Sequence, residues 1–348
     1  MAKQKKRRWV IFLLLVFIIV AASFYVYNKF FIGRVHLKDK SYTFIYIGRE
    51  DKYEDVLDDI NADNIISDPE AFDWLAKKME LPDHINPGRY RITNGMSMRQ
   101  IINLIKYNKQ ENVKLTYNSQ IRDMDEFVDY TDDKLELSDS ELEDFIDDGE
   151  NLHNYFGLDP ETSFAMVVPG VYEVSWAISS EEFFALLKER YLKIWNSNRV
   201  ALAKKTGYSV PQIITLASIV QSESVIESEQ KKIAGVYFNR LSKGMPLQAD
   251  PTLKFANKNY DAQRILDEDK ETDSPYNTYR YKGLPPGPIC LVGTQAIDAT
   301  LNYSKHKYLF FCAKPQLNGY SDFSATYEEH DKYAKAYQKA LNARGINR

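Results

Sequence analysis

The sequence predicts an α+β chain in three parts: an N-terminal transmembrane helix, a small α/β module, and a larger mixed α+β domain. Three observations carry that expectation. A long apolar run follows a basic N-terminus, short strands and helices interleave over residues 41–107, and helical stripes broken by a Pro/Gly-rich loop fill the second half. At 348 residues the chain has room for one large domain or about two to three ordinary ones. Apolar residues at 44% and charged residues at 27% point to packed cores rather than disorder. A net charge of −4 carries no nucleic-acid signature. Cys290 and Cys312 lie in apolar contexts with no C-x-x-C or Cys/His spacing, which argues against a structural zinc site. They read as two buried free thiols, with a disulfide as the alternative.

The first element is the membrane helix. Residues 1–8, "MAKQKKRR", form a basic cytoplasmic tail, and residues 9–31 form the anchor. Its core, Trp9 to Tyr27, is apolar apart from Ser23. At ~1.5 Å per residue it nearly spans a hydrocarbon core ~30 Å thick. Basic residues favour the cytoplasmic side, which leaves everything after about residue 32 outside. The chain is then a single-pass protein of the inner (cytoplasmic) membrane. Ala21-Ala22-Ser23 offers a signal-peptidase site as the rival reading. Against it, the apolar run continues through Phe24, Tyr25 and Val26, and an aromatic belt of Tyr25, Tyr27, Phe30 and Phe31 follows.

Residues 41–107 read as the small module. "YTFIYIG" alternates as a strand does, Asp51–Asp63 and Asp68–Glu80 read as short helices, and "GRYRIT" reads as a second strand. "SMRQIINLIKY" reads as a third helix with Ile101, Ile102, Leu104 and Ile105 inward. The strand–helix–helix–strand order resembles LysM carbohydrate-binding domains. Residues 108–150 form an acidic connecting region, where a strand, "ENVKLTYNSQ", leads into fourteen acids and one lysine from Asp123 to Glu150. Interleaved Phe127, Val128, Leu135, Leu137, Leu142, Phe145 and Ile146 turn that zone into amphipathic helices with a solvated acidic face. No EF-hand spacing is present. "VVPGVYEVSW" is irregular or extended, and "SSEEFFALLKERYLKIWNSN" is a helix capped by Ser179 or Ser180.

From Pro211 the pattern is helical, with Ile213, Leu216, Ala217 and Val220 on one stripe. A second helix restarts near Ser228 as N-cap, carries Ile233, Val236, Tyr237, Arg240 and Leu241, and stops at Lys243-Gly244. Three glutamates sit at the seam. Glu229, in a first turn, is comfortably ionised, and Glu227 is wet. Glu223 is different, because it borders an apolar face in the last turn of its helix. Desolvation and the helix dipole both raise its pKa, which suits a general acid. The alternative is a glutamate salt-bridged to a distant lysine or arginine.

Next come "MPLQADPTLKFA", a turn-like stretch with Gln248 and Asp250, then "SPYNTYRYKGLPPGPI" with Tyr276 and Asn277 before a rigid loop, Gly283 to Pro288. Tyrosine and asparagine side chains there can stack on sugar rings and hydrogen-bond to them, and an ordinary surface loop is the bland alternative. Residues 151–348 form the larger domain.

In this order, "ASIVQSES", "KKIAGVYFNRLSKGMPLQADPT", "YNTY" and "GLPPGPI" resemble the endolytic murein transglycosylases, a YceG-like family of membrane-anchored proteins. The resemblance covers essentially the whole chain. It implies a lyase: an endolytic peptidoglycan lytic transglycosylase that cleaves the MurNAc–GlcNAc β-1,4 bond of nascent strands, leaves 1,6-anhydro-MurNAc ends and so terminates elongation. It implies Glu223 as catalytic acid, with Gln248, Asp250, Tyr276 and Asn277 lining the glycan cleft. Gln221 stands where relatives often carry a first glutamate, which weakens any two-carboxylate mechanism. His330 falls at a typical position of the family's C-terminal segment. The implied partners are peptidoglycan strands, the membrane and cell-wall synthases (penicillin-binding proteins), with no nucleic acid; no metal or cofactor is called for. Two other readings remain, a hydrolytic muramidase and a non-catalytic wall-binding scaffold. A serine peptidase is disfavoured, because no G-x-S-x-G occurs.

Overall fold

A computed structural model describes residues 2–31, 35–37, 40–262 and 265–344, without the side chains of 2–5 and 29–31. Phe30 and Phe31 of the expected aromatic belt, and residues 345–348 of the expected larger domain, therefore lie outside the described side chains or residues. The chain divides into two compact units. One comprises Met1–Lys114, Lys134–Leu137 and Glu173–Ile178; the other comprises Leu115–Asp133, Ser138–Tyr172 and Ser179–Arg348.

In the first unit, α1 (Ala2–Phe31) contains a stretch, Lys6–Asn28, long and apolar enough to cross a membrane, with a mean hydropathy of 2.8 and no buried face. Then follow β1 (Tyr42–Ile47), α2 (Tyr53–Ala62), α3 (Pro69–Lys78), β2 (Gly88–Thr93) and α4 (Met98–Lys106). β1 and β2 pair antiparallel from Tyr42↔Thr93 to Ile47↔Gly88. Period-2 alternation sends Ile45, Ile47, Tyr90 and Ile92 into a core with Phe72, Ile101 and Ile102. The opposite face carries Tyr42, Phe44 and Tyr46. Arg91 lies 4.0 Å over the Tyr42 ring, and Arg89 lies 4.4 Å over Phe44. Asp68 caps α3 through Ala71 N, and Ser97 and Gln100 box the start of α4, which explains why both helices begin where they do. Leu104, expected inward with the isoleucines, is only partly buried against this core.

β3 (Val113–Tyr117) and β4 (Gly170–Val174) pair in a second two-stranded sheet. The acidic zone folds as α5 (Met124–Asp132), α6 (Asp139–Asp147) and α7 (Gly149–Phe156), capped by Asp123, Ser138 and Asp148. Their apolar residues face inward, as Phe127, Leu142 and Ile146 show, and most of the acids are exposed. A 3₁₀ turn, Pro160–Met166, precedes β4. Then come α8 (Ser180–Ile194), with Ser179 as its cap, α9 (Ser197–Thr206), α10 (Val210–Glu223), α11 (Glu227–Ser242) and α12 (Asp250–Ala256). The chain continues through α13 (Thr294–Leu301), the antiparallel hairpin β5 (Phe310–Ala313) and β6 (Ser321–Ser324), and α14 (Tyr327–Ala343).

α10 is the centre of the second unit. The sequence suggested a stripe, yet every residue from Ile213 to Val220 is buried, because α9, α11, α12 and α13 surround it. Its polar members are satisfied within that shell: Ser218 Oγ donates to Thr215 O and accepts from Ile289 N at 3.0 Å. Two further expectations change. The 248–256 stretch is not simply turn-like, since α12 starts at Asp250 with Pro251 in its first turn. The N-cap of α11 is Ile226, not Ser228, which lies inside the first turn. Two glycines are demanded by close approach. A Cβ at Gly235 would meet the Ser304 carbonyl at 2.4 Å, and one at Gly287 would meet the Glu161 carbonyl at 2.1 Å.

Candidate active site

α10 ends on Glu223, a half-buried residue at the helix terminus. From α11, the hydroxyl of Tyr237, itself 1% exposed, donates to Glu223 Oε1 at 2.8 Å. Burial pushes the Glu223 carboxyl up to about 7, and the charge of Asp250 adds to the rise. The Tyr237 hydrogen bond and the charge of Lys254 pull the other way. Burial and the adjoining carboxyl drive the Tyr237 phenol well above its ordinary range, so it stays a donor.

Asp250 opens α12 and accepts from the Tyr279 hydroxyl at 2.5 Å. Tyr279 is likewise pushed up, by burial first and then by Asp250. The site therefore holds two carboxyls, each gripped by one tyrosine. The segment that carries Asp250 is fixed by Arg240 of α11, which donates to Leu247 O at 2.8 Å and to Gln248 Oε1 at 2.6 Å. Gln248 sits at φ +52°, a left-handed conformation uncommon outside glycine. Its N–H donates to Thr278 O, Ala249 N donates to Thr278 Oγ1, and Thr252 and Thr278 join hydroxyl to hydroxyl at 2.8 Å.

Gln221 behaves as an amide must. Its Nε2 donates to Leu291 O and its Oε1 accepts from Gly293 N, both at 2.8 Å. A carboxylate could make the second bond but not the first. The residues expected in the cleft separate in the structure. Gln248 and Asp250 are both exposed, and Asp250 is near enough for its charge to act on Glu223. Tyr276 is half-buried and packs its ring 4.6 Å from Phe255. Asn277 is fully buried, donating to Lys270 O and Thr272 O and accepting from the N–H groups of Tyr279 and Arg280; its amide shapes the loop. Glu229, expected to be an ordinary helix-start acid, is 1% exposed, bonded to Ser321 N and paired with Lys232 at 3.1 Å. Glu227 is exposed and paired with Lys231.

Tyr237, Tyr279, Arg240 and Lys254 are the members that sequence reasoning did not assign to the site. Tyr237 was legible only as part of a packing stripe, and the signal missed was its phenol tip on an otherwise apolar face. His330, on α14, stacks 5.2 Å from Phe310, and burial lowers its pKa. Cys290 and Cys312 are both free; the first is buried and the second half-buried. Among the described residues no group of three or more His, Cys, Asp or Glu side chains is placed to hold a metal ion.

A carboxyl that titrates near neutrality, held by a fixed donor beside a second carboxyl, can give and take a proton on an oxygen-bearing substrate. Comparison with known proteins agrees with the local pattern, since residues 45–336 match the model of the YceG-like family. The chain belongs to that family. Among YceG-like relatives, the endolytic murein transglycosylase of Bacillus subtilis (strain 168) is 42% identical over 139 residues, 40% of this chain and 38% of that protein. The endolytic murein transglycosylase of Streptococcus pneumoniae serotype 2 (strain D39) is 34% identical over 133 residues, 37% of this chain and 24% of that protein. The matched stretch thus spans well under half the length of either relative. A crystal structure of a yceG-like protein from Listeria monocytogenes superposes with a TM-score of 0.52 at 26% identity, covering 84% of this chain and 99% of that one.

Proposed function

We propose that this protein is an endolytic murein transglycosylase that cleaves the MurNAc–GlcNAc β-1,4 bond and leaves a 1,6-anhydro-MurNAc end. The observation that carries the reading is the Glu223 carboxyl, pushed up to about 7 while Tyr237 holds one of its oxygens. The names of the Bacillus and Streptococcus relatives support it. In the reaction, Glu223 delivers its proton to the glycosidic oxygen as the C1–O bond breaks. The C6 hydroxyl of the same muramoyl ring attacks C1, and its proton passes to the Glu223 carboxylate, restoring the acid. One residue serves both transfers, and the intramolecular attack gains from proximity. The substrate-binding roles of Gln248, Asp250 and Tyr276 belong to this reading, with Asn277 contributing through the loop it shapes.

A second reading, a hydrolytic muramidase, draws support from Asp250. Glycoside hydrolysis uses two carboxyl groups, and Asp250 is close enough for its charge to act on Glu223. Mass spectrometry of the products from uncrosslinked glycan strands separates the two. Anhydro-muramoyl ends that disappear in Glu223→Gln are the expected result. Reducing ends would favour hydrolysis, and intact strands would favour a wall-binding scaffold.

The remaining features fit around this chemistry. α1 acts as a single-pass anchor with both units outside the cytoplasm, so cleavage close to the membrane would end nascent strands beside the synthases that extend them. Residues 41–107 contribute glycan affinity in the manner of a LysM module. Their β–α–α–β order supports this, as does the outward row of Tyr42, Phe44 and Tyr46, since aromatic faces can stack on sugar rings.

A further inference from the structure

A cavity of about 640 Å³ opens beside the end of α10, within the size range of small-ligand sites. Ser222 and Pro251, the chain neighbours of Glu223 and Asp250, line it, as do Arg122 and Lys254. No aspartate or glutamate does. Such a wall runs against the composition of a chain with 49 acids and 45 lysines and arginines.

Its glutamines are already engaged. Gln221 clamps Leu291 and Gly293, Gln230 donates to Ser224 O, and Gln295 donates to Val225 O and to Gln230 Oε1. The two cations are less committed. Lys254 is half-buried, and its ammonium makes no ion pair or hydrogen bond among the described residues. The Arg122 guanidinium lies over the Tyr260 ring at 4.1 Å, and its ion pair with Glu126 is long, at 3.7 Å, so its planar donor edge is oriented but weakly used. A half-buried ammonium and a pre-oriented guanidinium facing one cavity are complementary to a carboxylate.

We propose that this cavity is a subsite for an acidic peptide, the stem carried by the muramoyl unit, with a stem carboxylate held between Lys254 and Arg122. This rests on the murein reading of Glu223. In murein the stem hangs from the lactyl group of the ring whose C1 is attacked, so a stem subsite must adjoin the catalytic acid. Lys254 meets that condition, being near enough for its charge to act on Glu223. The subsite would make the protein select strands that still carry their peptides over stripped ones.

The test uses the full chain in detergent micelles and two synthetic probes: an L-Ala–γ-D-Glu–L-Lys–D-Ala peptide with free carboxylates, and the same peptide amidated at each. Charge-assisted bonds predict that the acid binds about tenfold tighter than the amide, and that Lys254→Gln and Arg122→Gln each lose about that factor. In the double variant the difference between the probes should vanish. Equal binding of acid and amide by the wild-type protein would overturn the subsite without reliance on any variant, and so would unchanged discrimination in a folded double variant. In a parallel assay, wild-type KM should be about tenfold lower for stem-bearing strands than for amidase-stripped ones, for the same reason. Equal KM values would also count against it. Failure to cleave either strand would overturn the murein reading instead, and the peptide titration would still decide this one.

Discussion

The Glu223–Tyr237 pair shows how one hydrogen bond can act on a raised carboxyl pKa. Glu223→Gln keeps size and polarity but removes the transferable proton, and turnover should fall by at least about 10²–10⁴-fold. Stability should respond in a way that depends on pH. A carboxyl whose folded pKa is raised from 4.5 to about 7 binds protons more tightly in the native state. Its stabilising contribution is therefore complete below pH 4.5 and is lost as pH rises through 7. Melting temperature followed over that window should fall more steeply in the wild type than in Glu223→Gln; parallel curves would show that the carboxyl is not perturbed. Tyr237→Phe removes a hydrogen bond that lowers the Glu223 pKa, so the Glu223-dependent limb of the pH–rate profile should move to higher pH. An unmoved limb in a folded protein would remove Tyr237 from the proton-transfer site. The acid was legible in the sequence because a glutamate at the end of a greasy helix is locally anomalous. Its tyrosine was not, because the bond joins residues 14 positions apart and a single phenol oxygen leaves no trace in a packing stripe.

At the scale of elements, Gln221 fastens the end of α10 to the strip that follows the Pro-rich loop. Gln221→Glu replaces a donor by an acceptor facing Leu291 O. It should cost about 1–3 kcal/mol at pH 8 and less at pH 5, where a protonated acid can donate again. Equal melting temperatures for wild type and variant at both pH values would argue that the clamp is dispensable. Elements with strong local chemistry were readable in advance: Ser179 caps α8 as its place in the sequence suggested, Asp68 caps the helix read as starting there, and the alternation of β1 and β2 sets their inward faces. Misreadings arose where tertiary surroundings decided. α12 looked like a turn because Asp250 and Pro251 are both turn formers, although proline is at home in a helix's first turn. α11 begins before the serine that resembles its cap. Glu229 read as an ordinary ionised acid of a helix start because nothing near it in sequence reveals that the start of β6 comes back to cover it, with Ser321 N as the bonding partner.

The whole molecule joins an apolar span to two compact units. With α1 in a bilayer and its basic end in the cytoplasm, protease added to spheroplasts should remove a C-terminal tag and spare an N-terminal one. The reverse pattern would refute the orientation, and a mature N-terminus near Ser23 would refute the anchor. Val35 is 1% exposed and bonds through its N–H to Met96 O, and it forms a bridge with Ile66, so the first unit already has hold of the chain four residues beyond Phe31. Four residues reach at most roughly 13–14 Å. With α1 in a bilayer, a leash that short would confine the search for substrate, under the proposed function, to two dimensions. Encounter rates would then follow surface density and lateral diffusion rather than bulk concentration, and diluting a suspension of such vesicles should leave the cleavage of lipid-linked strands in the same bilayer unchanged.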